Sequence, residues 1–269
     1  MALNDISLTS GMRANLLSLQ STVELLNRTQ ERLSTGKKVN SPLDNPTNYF
    51  VAKSLMDRAS DISLAKDNMS EGIQTIKAAD SGIKAITDLI AAAKGIAYSA
   101  QSAAASELST LQTQFNAILT QINNASDDSY YKGVNLLASG GSLSVNLGDG
   151  SSLTVTGFNA TASGLGVTDA VGWYNTPANI TDSISKLDTA NSTLRTQAKT
   201  LSSNLSVVTI RQDFASNMIS ALTKGADNLT LADMNEEGAN MLMLQTRQAL
   251  GTTALSLSAQ AAQSVLRLF

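Results

Sequence analysis

The sequence of 269 residues contains no cysteine and no histidine. Without cysteine there is no disulfide and no thiolate metal site, and without histidine there is no Ser-His-Asp triad and no histidine-based zinc motif. The absence of cysteine suits an extracellular protein that needs no disulfides, and it equally suits a protein of the reducing cytosol. No glycine-rich run matches a P-loop or a dinucleotide-binding motif either, and we predict that the chain is not an enzyme and has no catalytic, cofactor-binding or metal-binding residues.

Aromatic residues, charge and long apolar runs are also scarce. Aromatic residues make up 4% of the chain, charged residues 15%, and the net charge is −3. Nucleic acid is not an expected partner, because phosphate binding needs a concentrated basic surface. No apolar run reaches the roughly 18 residues of a membrane-spanning helix, so no membrane insertion is expected. The first residues lack the basic flank and apolar segment of a Sec signal peptide.

Apolar residues near the N-terminus recur at steps of three and four and predict a helix over residues 10–33. We call this set the N-terminal stripe: Met12, Leu16, Leu19, Val23, Leu26 and Leu33. Such a spacing keeps a stripe on one side of a helix and favours packing against a partner helix.

The C-terminal segment carries two further stripes on one helix that is predicted to end at Phe269. The first C-terminal stripe comprises Met241, Leu244, Leu255, Ala262, Val265 and Phe269. The second C-terminal stripe comprises Leu250, Ala254, Leu257, Ala261 and Leu268. From Gly238 onward the only charged side chains are Arg247 and Arg267, too few for a helix that lies alone in water. We predict that the three stripes together form a polymerisation interface.

The whole pattern predicts a mostly α fold, a long antiparallel coiled-coil bundle with paired termini and a small β-hairpin in the middle. Inner helices are expected over residues 47–99 and 177–224, the second ended by Gly225, and a third helix is expected to end near Asn123 and Asn124. Alternating residues on both sides of Gly148-Asp149-Gly150 indicate the hairpin. Residues 159–166 are small and polar and indicate a surface loop. Asp233, with Glu236 three residues later, fits the cap of the last helix.

A hinge is predicted between the first two helices. Gly36 follows the end of the first helix, and Pro42 and Pro46 border the loop after it. Pro46 suits the first position of the next helix, with Asn45 as its cap.

Two other sets of residues leave alternatives open. Asp127-Asp128 and Glu236-Glu237 are adjacent carboxylates, which point apart on a helix and so favour solvation or capping over acid–base chemistry. Trp173-Tyr174 near Phe158 fits a carbohydrate platform or, with more support, a small core under the hairpin.

Several runs resemble bacterial flagellin. They are Arg-Leu-Ser-Thr-Gly-Lys-Lys-Val-Asn-Ser at 32–41 with Asp-Asn-Pro at 44–46, Asn-Met-Ser-Glu-Gly-Ile at 68–73 with Ala-Asp-Ser-Gly at 79–82, and Ala-Ala-Gln-Ser-Val-Leu-Arg-Leu at 261–268. The resemblance covers about 140 residues at the start and about 90 at the end, in the family's order.

This resemblance implies a subunit that polymerises into the helical flagellar filament for motility and is exported unfolded through the flagellar type III apparatus to the cell exterior. Residues 1–40 with 233–269 would form an inner tube, 41–140 with 176–232 an outer tube, and 141–175 a hairpin and short variable segment. The implied partners are further copies of the chain, an export chaperone, the cap and the hook–filament junction proteins. Because residues 133–176 alone separate the two arms, the filament should be thin and smooth.

Two other functions remain as alternatives. A hook–filament junction protein shares the arm-middle-arm plan. An enzyme carried on the filament is a poor fit, because the short middle contains no histidine. The family's run for the animal innate-immune receptor is altered at Ala92 and Gly95, so we expect weak activation of that receptor.

Overall fold

The computed structural model describes residues 10–266, apart from the side chains of residues 262, 265 and 266. Its elements, in chain order, are α1 Ser10–Thr35, α2 Pro46–Ser102, α3 Ala105–Asp128, β1 Tyr130–Tyr131, β2 Val134–Asn135, β3 Ser142–Gly148, β4 Ser151–Thr156, α4 Ala178–Thr230 and α5 Met234–Leu266. The predicted mostly helical fold with a central β-hairpin is therefore confirmed.

Two compact units divide the described chain. The first takes the residues up to Asp57 together with those from Leu222 onward, and the second is Arg58–Ala221. The long helices α2 and α4 contribute residues to both units. The first unit is built from both ends of the chain, whereas the second is one continuous central segment.

In the first unit, α1 packs against α5. Arg32, late in α1, contacts Glu237 near the start of α5, whereas Leu19 lies against the later residue Gly251. The two helices are therefore antiparallel. A short backbone bridge closes the same unit, because Lys38 N donates to Thr230 O at 2.8 Å and Ala232 N donates to Gly36 O at 3.0 Å.

The core of the second unit is built where α2, α3 and α4 each contribute an apolar face. Fully buried side chains on these helices and the segments between them are Met69, Ile76, Ile86, Ile90, Phe115, Leu119, Ile122, Leu136, Leu137, Trp173, Ile180 and Leu187. On α3 the buried residues step by four and three, which keeps them on one side of the helix. Burying each large apolar side chain contributes about 1.5–3 kcal/mol. Cross-helix pairs such as Lys94 Nζ with Asp188 Oδ1, at 2.5 Å, lie at the rim.

The hairpin β3–β4 lies where the sequence predicts it. Leu143 pairs with Val155 and Val145 with Leu153, and a bulge lies between Asn146 and Gly148. Two α2 glycines allow close contacts, one with the hairpin and one with the residues that flank β1 and β2. A β-carbon at Gly72 would lie 2.7 Å from Val145 Cγ2, and one at Gly82 would meet Ser129 and Leu137. These glycines lower helix propensity by about 1 kcal/mol each, and the close contacts they allow explain their presence.

The short antiparallel pair β1–β2 was not predicted. Its turn residue Lys132 has φ 48°, and Gly133 has φ 82°. Strands of two residues carry no alternating pattern that a sequence could reveal.

The prediction that residues 159–166 form a surface loop is wrong. Ala160, Ala162 and Leu165 are buried, and α3 supplies hydrogen-bond partners to the loop backbone. Ala162 N donates to Asn123 Oδ1 at 2.9 Å. Further along, Asn116 donates to Ala170 O at 3.2 Å and accepts from Ala170 N at 2.8 Å. The loop is thus a packed segment whose buried backbone groups are paired by α3 amides.

Two predicted helix ends are also wrong. α3 continues past Asn123 and Asn124 to Asp128. The Asn123 side chain does not end the helix, because it accepts a hydrogen bond from the backbone of Ala162. α4 continues through Gly225 to Thr230. A β-carbon at Gly225 would lie 3.4 Å from Leu55 Cδ1, so this glycine fits a close helix contact.

Candidate assembly surface

The N-terminal stripe lies on the side of α1 that faces α5. All six of its residues, Met12, Leu16, Leu19, Val23, Leu26 and Leu33, are half-buried. The buried residues of α1 are Thr22 and Thr29, which the apolar pattern could not identify. Thr22 Oγ1 donates to Ser18 O at 2.8 Å, so its hydroxyl is satisfied within the helix and its methyl can join the contact.

Part of the first C-terminal stripe meets α1. Leu244 is buried, and Met241 and Leu255 are half-buried. The side chains of Ala262 and Val265, and Phe269 altogether, lie outside the described residues, as does Leu268 of the second stripe. The described part of this stripe therefore packs inside the chain.

The second C-terminal stripe lies on the opposite side of α5. Leu250 is 65% exposed and Leu257 is 60% exposed. Ala254 and Ala261 between and beyond them are also exposed. A contiguous exposed apolar strip on a helix marks an interaction surface.

The register of α1 against α5 is set by one polar and one apolar contact. Arg32 Nη1 donates to Glu237 Oε1 at 2.8 Å, and these side chains are 29% and 9% exposed. A β-carbon at Gly251 would lie 2.7 Å from Leu19 Cδ1, so the two backbones approach closely there. The prediction that Glu237 is solvated or caps the helix is wrong, because Glu237 pairs with Arg32. The cap is Asp233, whose Oδ1 accepts from Asn235 N at 2.9 Å.

The predicted hinge residues fall in or beside the α1–α2 connection. Gly36 has φ 71° and directly follows α1, Pro42 lies in a turn, and Pro46 is the first residue of α2. Asn45 caps α2 as expected, since its Oδ1 accepts from Asn48 N at 3.0 Å. Hinge motion at these positions stays a prediction.

Asp44 organises this connection. Its Oδ2 accepts from Ser41 N at 2.9 Å and from Asn40 N at 3.0 Å. These two backbone hydrogen bonds, that from Ser41 first, lower the pKa of the Asp44 carboxyl below its usual value. The turn is thus stabilised by an ionised carboxylate.

The aromatic cluster is a core element. Trp173 is fully buried, and its ring centroid lies 5.0 Å from that of Phe115 on α3. Its Nε1 donates to Ser183 Oγ at 3.4 Å, whereas Tyr174 is exposed. The carbohydrate-platform interpretation is wrong, because Trp173 is buried. The predicted small core exists, and the contacts of Trp173 in it are with α3 and α4.

Within residues 10–266, no group of three metal-ligating side chains is close enough to hold an ion. Over the same residues, no helix combines the length and apolar character needed to cross a membrane. Ala92 and Gly95, at the altered receptor run, are exposed on α2, and weak receptor activation stays a prediction.

A family model and curated relatives of this chain all point to the same family. Residues 6–142 match the bacterial flagellin N-terminal helical region. Flagellin FljM of Caulobacter vibrioides is 33% identical over the full length of both chains. A flagellin of Brucella melitensis is 29% identical, over 94% of this chain and 95% of its own. The crystal structure of Bacillus cereus flagellin aligns with a TM-score of 0.49 and 18% identity over 58% of this chain and 94% of that one, and the assignment does not depend on it. The chain belongs to the flagellin family.

Proposed function

We propose that this flagellin assembles through its paired terminal helices, with the second C-terminal stripe as the surface that neighbouring copies cover. As a flagellin, it is a structural subunit of the flagellar filament. The comparisons offer no support for the hook–filament junction alternative. The single observation that carries the proposal is that α5 has two apolar sides, of which α1 covers only one.

The energetic reason is the cost of leaving that stripe in water. Fully burying a leucine contributes about 1.5–3 kcal/mol, so Leu250 and Leu257 of each copy offer a gain that the free chain cannot realise. The N-terminal stripe, being only half-buried against α5, adds further surface. Contacts between unlike surfaces of successive copies do not close into a pair and therefore extend into a helical polymer.

Assembly of variants tests this proposal. Leu250→Glu and Leu257→Glu place a charge on the exposed stripe and should prevent filament formation, as seen by electron microscopy of purified protein after salting out. Ser256→Glu is the matched control, because Ser256 is an exposed polar neighbour on the same helix. All three variants should retain the helical circular dichroism of the parent chain, since none of these side chains is buried. Filaments of normal length from both leucine variants would contradict the proposal.

Export and location follow from the same family. We propose that the chain is exported through the flagellar type III apparatus and functions outside the cell, with the export chaperone, the cap and the junction proteins as partners. Detection of the chain in sheared extracellular filaments, and its retention in cells that lack the export apparatus, would test this part.

A further inference from the structure

The turn between β3 and β4 carries the only Asp-Gly step in the sequence, Asp149-Gly150. Both residues have positive φ, 49° and 75°, as a tight hairpin turn requires. The Asp149 side chain is 63% exposed. Nothing lies within 4 Å of the position that a β-carbon on Gly150 would occupy. Gly150 therefore has no side chain of its own to hinder an approach, and no neighbouring atom fills the space where one would lie.

We infer that Asp149-Gly150 is a site of spontaneous isoaspartate formation, restrained in the folded chain by Arg58. The reaction needs only water. The amide nitrogen of Gly150 attacks Asp149 Cγ and loses its proton while the carboxyl loses its oxygen, so one water leaves and a succinimide ring forms. One water then opens the ring at the carbonyl attached to Cα. The chain now runs through the former side chain, and the α-carboxylate is free, with no net change in mass.

Arg58 opposes the first step. Its Nη2 lies 2.9 Å from Asp149 Oδ2 and holds the carboxylate toward α2. Ring closure requires that carboxylate to turn back onto the Gly150 amide, which breaks the pair and the turn geometry together. Because Arg58 is itself 52% exposed, added salt should screen this restraint.

The product would loosen the hairpin. An isoaspartyl linkage inserts one extra backbone carbon into a two-residue turn, and the pairing of Gly148 with Ser151 depends on that turn's length. It also moves the carboxylate away from Arg58. The modification thus acts on the hairpin of the second unit, and it does not rest on the proposed assembly.

The test incubates the full-length purified chain at body temperature and measures isoaspartate at position 149 by peptide mass spectrometry with fragmentation that separates the isomers. Isoaspartate should accumulate in the parent chain and form several-fold faster in Arg58→Ala. Lys53→Ala is the matched control, because it breaks an exposed pair with Asp57 on the same helix, and its rate should equal that of the parent. Asp149→Glu should give none, since the longer side chain disfavours the ring.

Two further measurements, in high salt and in urea, test the inference if Arg58→Ala folds poorly. High salt should accelerate the reaction in the folded parent chain, and in urea the parent and Arg58→Ala should react at the same rate. The inference is overturned if the folded parent chain and Arg58→Ala react equally fast and salt has no effect. It is also overturned if neither folded chain forms isoaspartate over a time in which the urea-unfolded chain converts completely.

Discussion

Arg32 Nη1 of α1 lies 2.8 Å from Glu237 Oε1 of α5, and the Glu237 side chain is only 9% exposed. This pair joins the end of the N-terminal helix to the start of the C-terminal helix, across nearly the whole length of the sequence. Because the Glu237 carboxylate is mostly buried, removing the Arg32 guanidinium would leave a buried group without a partner and would destabilise the fold.

Arg32→Ala should therefore destabilise the first unit by about 1–3 kcal/mol, since it leaves a mostly buried carboxylate without its partner. The double variant Arg32→Ala with Glu237→Ala should recover part of that loss. Urea unfolding of assembled filaments, in which neighbouring copies are expected to cover α1 and α5, measures both. Lys53→Ala, which breaks an exposed pair at 3.9 Å, is the control and should change stability by less than about 1 kcal/mol. Equal effects of Arg32→Ala and Lys53→Ala would show that the Arg32–Glu237 pair is not structural.

Two glycines of α2 should respond in opposite directions to alanine. Gly72→Ala pushes a methyl group to within 2.7 Å of the buried Val145 and should destabilise the second unit by about 1–3 kcal/mol. Gly95→Ala meets nothing within 4 Å and should stabilise α2 by about 1 kcal/mol through helix propensity. Thermal unfolding of the two variants provides the comparison, and a stabilised Gly72→Ala would mean that the hairpin does not pack at that position.

Docking of the β1–β2 turn should weaken in acid. The hydrogen bond from Lys132, at 2.8 Å, lowers the pKa of the Glu71 carboxyl from its ordinary value of 4.5. A lowered pKa means that the pair contributes stability above that value and loses it as the pH falls through the folded-state pKa. In the other direction, the same hydrogen bond raises the pKa of Lys132, so the contribution persists until strongly alkaline pH.

The methyl resonances of Val134 and Val145 report on this docking locally. They distinguish it from the protonation of Asp44, whose pKa is also lowered. We expect them to shift below pH 4.5 in the parent chain and to lose that shift in Glu71→Gln. An identical acid shift in both chains would assign the change to another group.

Much of the helical architecture could be predicted from the sequence because it depends on local periodicity. The stripes of α1 and α5 and the alternation in β3 and β4 each repeat within a few residues. What the sequence hid depends on contacts between distant segments. Asn123 resembled a helix end, yet its side chain binds the backbone of Ala162.

The candidate surface shows the same limit. Periodicity placed apolar residues on two sides of α5, but which side α1 covers follows only from three-dimensional packing. Leu244 and Leu250 are equally apolar in the sequence, and the structure buries the first and exposes the second. Glu237 was likewise indistinguishable from its neighbour Glu236 until its contact with Arg32 was known.

Removal of either terminal arm should abolish assembly and leave the second unit folded. Deletion of residues 1–33 removes almost all of α1, and deletion of residues 240–269 removes most of α5. Arg58–Ala221 forms its own compact unit, so circular dichroism should still show its helices. Filaments from either truncated chain would contradict the assembly mechanism.

Hydrogen exchange tests the central claim most directly, by comparing the amides of α1 and α5 in dilute, unassembled protein with those in filaments. If neighbouring copies supply the missing cover, these amides should exchange quickly in the dilute chain, while those of Arg58–Ala221 stay protected, and they should slow by orders of magnitude on assembly. Strong and equal protection of α1 and α5 in both states would show that the terminal helices need no neighbours, and the account would be wrong.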